Sequence, residues 1–247
     1  MGNFYSAGYD PLFYGHHANV DRLWSIWKGM DRKGHKDPTS IDWLDASYVF
    51  YDENEELVRV YNRDCVDTRR MGYKYERSAI PWIESRPTPH AKGANVAVNA
   101  VASGIVPKVE NLTFPLTINK TFEVLVPRPA KNRTNADKEK ANELLMINGI
   151  KFDCERFFKF DVIVDDLDDG VEVTAADSEF AGSFAQLPHG DSDEKMLMTS
   201  GASFGITELL EDIEAEGDDS ILVKIVPKEG CDDVTISNIK VVLVPSE

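Results

Sequence analysis

The sequence predicts a mixed fold in two parts: an N-terminal helix with a short β-hairpin, then a mainly antiparallel β-sandwich. Three observations predict it. Apolar residues recur at three- and four-residue spacing in PLFYGHHANVDRLWSIWKG near the N-terminus. Short runs rich in Val, Ile and Phe, broken by Gly, Asn and Asp, fill the second half. Charge is also divided unevenly: of 27 Lys and Arg and 43 Asp and Glu, residues 1–110 hold 14 and 15, and residues 111–247 hold 13 and 28. The first body is nearly neutral and the second strongly acidic.

With 247 residues and 42% apolar content the chain can bury a real core. No window reaches the roughly 18 uncharged apolar residues that a membrane span needs, so no span is expected. The N-terminus carries neither a signal-peptide nor a transit-peptide pattern. A net charge of −16 argues against nucleic acid, which needs a basic patch. Cys65, Cys154 and Cys231 are too few and too far apart for a zinc motif, and buried thiols are expected. The N-x-T triplets at Asn111, Asn119 and Asn132 matter only in a secreted protein.

Taken in order, Asp10 is placed as an N-cap and Pro11 at the first helical position, where its missing N–H costs nothing. Phe13, His17, Val20, Asp21 and Trp24 then share a helical face, and Lys28-Gly29 marks the end. A basic, turn-rich stretch from Asp31 to Ser40 follows. IDWLDASYVFYDENEELVRV holds two apolar runs around Asp52–Glu56 and predicts a hairpin. Residues 84–110, with SRPTPHAKGANVAVNAVASG, are rich in Pro and small residues without amphipathic period and predict an exposed linker, the place for a protease to cut. Beyond it, LTFPLTINKTFEVLVPRP, ELLMINGIKFD, FFKFDVIVDD, VEVTAADSEFAGSFAQLP, SILVKIVP and VTISNIKVVLVP supply about seven strands. FGITELLEDI is the helical exception, from Thr207 to Ala215, with Thr207 as a possible cap. The expected divisions are 1–40, 41–83, 84–110 and 111–247.

His17 and Asp21 lie one turn apart on that helix, while His16 points about 100° away. A neutral imidazole binds copper, iron or zinc well, but it serves equally as a satisfied core residue, and spacing alone leaves both readings open. His35 in the basic loop, His90 in the linker and His189 in the acidic body are expected to be solvated. The run Asp165-Asp166-Leu167-Asp168-Asp169-Gly170 lacks the spacing and closing Glu of an EF-hand and is expected to be a solvated turn.

DPLFYGHHANVDR resembles the second copper-site motif of the type 3 copper proteins, matching it at Asp10, Pro11, Phe13, Tyr14, His17 and Asp21. The resemblance narrows to the plant polyphenol oxidases, or catechol oxidases. MGNFYSAGYDPLF is similar to the stretch before their ligand helix, DWLDASYVFYDENEELVRV to their DWL segment, and GYKY to their Tyr-x-Tyr motif. IKFDCERFFKFDVIV, FAGSF and FGITELLEDI resemble their C-terminal KFDV domain. An oxygen carrier of the haemocyanin type shares the ligand motif, but the DWL and KFDV segments argue against it.

The resemblance implies a site of two coppers with three histidines each, where O2 oxidises an o-diphenol to an o-quinone. It implies that His17 is a ligand of the second copper, that Asp21 supports it from behind, that Phe4 is the aromatic gate over the site, and that Tyr73 and Tyr75 form a structural clasp. Residues 1–40 then correspond to the end of an α-helical copper-binding bundle, 41–83 to the DWL segment, and 111–247 to a domain that shields the active site in a latent form. Only one of the six ligands is present; the other five, in the missing N-terminal part, are expected before Met1, so that the chain is a fragment and inactive alone as a shielding module. Its ligand helix is expected to show an uncovered apolar face. A plastid location, in the thylakoid lumen, is implied by the same likeness. Tyr9, where the family often has Arg, and Asp153-Cys154 depart from the pattern.

Overall fold

The computed structural model describes residues 6–30, 35–90, 96, 99–100, 104, 106–166, 170–188 and 195–246. It divides into two compact units, Tyr9–Ile83 and Glu84–Glu247 with Met1–Gly8.

In the first unit, α1 spans Pro11–Gly29 and begins as its sequence dictates. Asp10 is extended, and its carboxylate accepts from the Leu12 N–H at 2.9 Å, satisfying a donor that has no partner inside the helix. At the other end the Met30 N–H turns back to the Trp27 carbonyl. No residue of α1 is buried, and Leu12, Tyr14, Val20, Leu23 and Trp24 are exposed, as expected of a helix with an uncovered apolar face. The hairpin also forms: β1 (Ser47–Tyr51) pairs antiparallel with β2 (Leu57–Tyr61) around a loop in which Asp52 accepts from the N–H groups of Asn54 and Glu56. The first apolar run is only half strand, because Ile41–Asp45 folds as the short helix α2, and α3 (Asn62–Cys65) follows β2.

The second unit is a two-sheet antiparallel structure around one apolar core. One sheet runs β11 (Asn238–Pro245), β5 (Ala141–Asp153), β10 (Thr235–Ile236) and β3 (Leu116–Thr117), with β8 (Leu197–Gly205) also paired to β5. The other runs β4 (Phe122–Pro127), β9 (Ser220–Glu229), β6 (Phe158–Val164) and β7 (Phe180–Gln186). Alternate residues of β5 and β9 point inward: Leu145 and Ile147 from one, Ile221, Val223 and Ile225 from the other. Phe152, Phe158, Phe160 and Phe184 form an aromatic stack with ring centroids 5.0–6.4 Å apart.

The FAGSF and KFDV runs acquire physical reasons here. Gly182 sits at φ +147 beside a register shift in β6 and β7, and a Cβ there would lie 2.9 Å from the Phe204 ring. In KFDV, Phe160 and Val162 enter the core, while Asp161, on the other face of the strand, is buried too, accepts from the Ser183 hydroxyl and lies near Lys159 and Lys228.

Several sequence expectations are corrected. Strand β8 was not anticipated, because MTSGAS is small and polar and seven of the nine residues from Leu197 are exposed along an edge. The Thr207 helix is shorter, Thr207–Asp212, and the Thr207 hydroxyl accepts from the Glu143 N–H on β5 instead of capping its own turn. The 84–110 stretch is not simply exposed: Thr88 bridges to Asp177, the His90 N–H donates to Glu179, Lys108 bridges to Leu125, and Val96 is buried against Leu125 and Leu222. Asp165 and Asp166 are buried, not a solvated turn, while 167–169 lie outside the described residues. Cys154 and Cys231 are buried free thiols as expected, and Cys65 is half-buried. Among the described residues no helix is long and apolar enough to cross a membrane.

One ion network crosses this core. Arg128 grips Glu143 through two bonds of 3.0 Å, with both side chains almost fully buried, and Arg133 lies 3.4 Å from the same carboxylate. The remaining Arg128 nitrogen donates to the carbonyls of Ala215, Glu216 and Asp218. This ties β5 to the loop before β9, and removing the carboxylate would leave two guanidinium groups in a dry interior. Glu143→Ala is therefore expected to destabilise the β-rich unit by about 3–5 kcal/mol in a denaturant titration; a loss below about 1 kcal/mol would show that the network carries no weight.

Candidate metal-ligand helix

His17 lies on an exposed part of α1, midway along its first half. Its Nδ1 is 2.7 Å from the carbonyl of Phe13, one turn earlier, and its ring packs on the Phe13 ring at 4.1 Å. A carbonyl only accepts, so Nδ1 carries the proton and the Nε2 lone pair is left for a Lewis acid. This is the arrangement by which a ligating imidazole has its ring orientation and tautomer fixed through the other nitrogen. His16 stands edge-on to His17 at 5.4 Å and 88°, and the two rings do not converge.

Asp21 does not touch His17. Its Oδ2 accepts from the hydroxyl of Tyr73 at 2.7 Å and from that of Tyr75. The loop that delivers those tyrosines is set locally: Asp67 accepts from the Arg69 N–H, the Gly72 N–H turns back to Arg69 with φ +82, and the Tyr73 N–H returns to Thr68. Accepting the hydroxyl proton favours the protonated phenol, so the Asp21 contact holds the Tyr73 pKa above its ordinary value. For Tyr75 burial raises it first and Asp21 adds to it.

The rest of the same helix face is also fastened. Arg22 donates to the Ser78 hydroxyl at 2.6 Å, Trp24 Nε1 to Asp37 at 3.1 Å, and Lys28 to Asp37 at 2.8 Å and to the Val66 carbonyl at 3.2 Å. The C-terminal half of α1 is thus anchored while the half that bears His17 is open. Sequence reasoning missed these anchors and the Phe13 carbonyl, although Phe13 at four residues before His17 was the available signal for the latter.

The other histidines are placed differently from expectation. His35 is half-buried, stacked on Trp27 at 4.3 Å with Nδ1 2.8 Å from the Trp27 carbonyl, so it is packed, not solvated. His90 is half-buried through its Glu179 contact, against the same expectation. His189 and the expected gate Phe4 lie outside the described residues. Among the described residues no group of three or more His, Cys, Asp or Glu side chains is arranged to hold a metal. His17 fits a copper as one imidazole ligand, and the remaining ligands would have to come from elsewhere.

All four tryptophans fall within Tyr9–Ile83, so their fluorescence reports this unit alone. Tyr75→Phe removes one hydroxyl from a charged hydrogen-bond pair and is expected to lower the stability of this unit by about 1.5–3 kcal/mol, read as an earlier fluorescence transition in urea. An unchanged midpoint would mean that the clasp does not hold the helix.

Comparison with known proteins places the chain in a family. Residues 114–243 match the chloroplastic polyphenol oxidase C-terminal domain, residues 37–88 the polyphenol oxidase middle domain, and residues 1–30 the common central domain of tyrosinase. The chain is 47% identical over 243 residues to the chloroplastic polyphenol oxidase II of Ipomoea batatas, covering 98% of this chain and 40% of that protein. Among solved structures, a latent aurone synthase (polyphenol oxidase) superposes with a TM-score of 0.89 at 52% identity, over 100% of this chain and 47% of that one. A latent apple tyrosinase superposes with a TM-score of 0.84 at 45% identity, over 99% and 51%. The chain spans about 40% of the length of the curated relatives it matches. The polyphenol oxidase C-terminal domain model alone accounts for more than half of the residues, and the chain belongs to the polyphenol oxidase family.

Proposed function

We propose that these residues serve a copper-dependent polyphenol oxidase that oxidises o-diphenols to o-quinones with O2, and that His17 is one ligand of its second copper. The observation that carries the reading is the His17 ring, which has Nδ1 spent on the Phe13 carbonyl and Nε2 free on a helix anchored through Asp21. Copper, when bound, supplies the redox couple that takes electrons from the phenol. The chain's own contribution is positional. Phe13 sets the imidazole tautomer and turns its second nitrogen outward, while Asp21, Tyr73 and Tyr75 prevent α1 from rotating or sliding under its ligand. Phe4 is assigned by resemblance as the aromatic gate over the bound phenol.

In this reading residues 111–247 shield the site in a latent protein, and a cut within 84–110 releases them. The described points of that stretch that are tied to the β-rich unit, Thr88, His90, Val96 and Lys108, favour a cut on the N-terminal side of Thr88, in the exposed run Glu84–Pro87. The chloroplastic names of the relatives support a plastid protein, with the thylakoid lumen as the proposed compartment. The 247 residues taken alone are read as a non-catalytic module, because the resemblance assigns to them one of the six histidine ligands, His17.

In the complete protein, His17→Ala is expected to lower copper from about two to about one per chain and to reduce O2-dependent catechol oxidation roughly 100-fold. Retention of both coppers at full activity would exclude His17 as a ligand. For the 247-residue chain by itself, metal analysis should find negligible copper, and a tightly held pair of coppers would contradict the module reading.

A further inference from the structure

The β-rich unit buries two carboxyl groups, Asp165 and Asp218, that form no ion pair with its described cations. Asp165 ends β6 at φ +51; its N–H donates to the Leu222 carbonyl at 2.8 Å and its Oδ1 accepts from the Leu222 N–H at 2.6 Å, so one side chain closes the end of the β6–β9 ladder. Its Oδ2 is buried and meets no hydrogen-bond partner among the described residues. The same holds for Oδ2 of Asp218, in the loop before β9, whose charge acts directly on Asp165. Both residues are more than nine-tenths buried.

Among the described residues, the charged groups around the pair are committed elsewhere. Arg128, whose charge acts on both, gives its Nε and Nη2 to Glu143 and its Nη1 to three carbonyls. Arg133 also turns to Glu143, Lys131 pairs with Asp219, and Lys224 pairs with Asp166 and Glu123. Asp219 adds a further negative charge beside Asp218. Two carboxylates in a dry site, each with one oxygen that meets no donor among the described residues, repel each other and lose hydration, and a proton on one of them relieves both costs.

We propose that Asp165 and Asp218 form a proton-binding pair that fastens the end of the β6–β9 ladder in mildly acidic medium and loosens it as the medium becomes neutral. Burial pushes the Asp165 carboxyl up to about 7, with Asp218 adding to the rise and the Leu222 N–H and Arg128 opposing it, while burial also raises Asp218. The sign follows from linkage. Between the ordinary carboxyl value of 3.8 and about 7 the folded unit holds a proton that the unfolded chain has released, so stability falls as pH rises through this window and is level above it. This differs from the usual salt-bridged carboxylate, which loses stability on acidification. The inference concerns the β-rich unit alone and holds whatever that unit covers.

The test is urea unfolding of the 247-residue chain at pH 5.0 and 7.5, followed by circular dichroism because the tryptophans lie in the other unit. The unfolding constant of the β-rich unit is expected to rise on the order of 50-fold between these pH values. Asp165→Asn keeps an acceptor for Leu222 and tolerates positive φ, so it should cut that rise to a fewfold and be the more stable form at pH 7.5. Asp218→Asn should leave a smaller rise. An equal pH dependence in wild type and Asp165→Asn would overturn the proposal. So would an Asp165 carboxyl resonance that titrates in the ordinary range near 4 by carbon NMR, which decides the matter in the wild type even where a variant fails to fold. Unfolding constants that respond to calcium or to a chelator would replace the proton with a cation and overturn it equally.

Discussion

The Asp21 carboxylate is the constraint on which the first unit depends. It accepts from two tyrosine hydroxyls that arrive from more than fifty residues further along the chain, and it does so from a helix that buries none of its own residues. A surface helix is ordinarily held by its apolar face. Here Leu12, Val20 and Leu23 stay exposed, so position is set by polar bonds: Asp21 to the tyrosines, Arg22 to Ser78, and Lys28 to Asp37 and Val66. The anchored half carries the bonds, and the open half carries His17.

The second unit obeys a different rule. Its strands meet in a dry core where Phe152, Phe158, Phe160 and Phe184 pack ring to ring and where aliphatic side chains of β5 and β9 interleave. Apolar burial dominates such an interior. Buried charges there are enclosed in ion pairs, as Arg128 and Glu143 are, or given a backbone donor for half of the carboxyl, as at Asp165. The chain's acidity therefore does not sit only on a wet surface, and part of it is stored at the ends of strands.

The sequence made α1, its Asp10 cap, the β1–β2 hairpin and the KFDV strand legible, because each combines a clear period with a boundary residue of known chemistry. The family was legible by resemblance, in DPLFYGHHANVDR, the DWL segment and the KFDV run. Strand β8 escaped because an edge strand of Ser, Gly and Ala has no alternation to read. The docking of Thr88, His90 and Val96 escaped because Pro-rich, small-residue composition describes local stiffness and not long-range partners. The burial of Asp165 and Asp166 escaped for a related reason: a run of aspartates reads as solvated until a neighbouring strand supplies Leu222 and Lys224. At the candidate site, resemblance supplied His17, Asp21, Tyr73 and Tyr75 as expectations, whereas the Phe13 carbonyl and the bonds from the two tyrosine hydroxyls to Asp21 leave no local pattern to read.

The central claim is that α1 presents an imidazole whose Nδ1 is committed and whose Nε2 is free. Nitrogen-15 NMR of His17 in the 247-residue chain, recorded where the ring is neutral, tests it most directly. The account predicts the Nδ1-protonated tautomer, with coupling across the bond to the Phe13 carbonyl. A His17 ring found in the Nε2-protonated form would contradict it, because the lone pair would then point at Phe13 and no electron pair would be left for a metal.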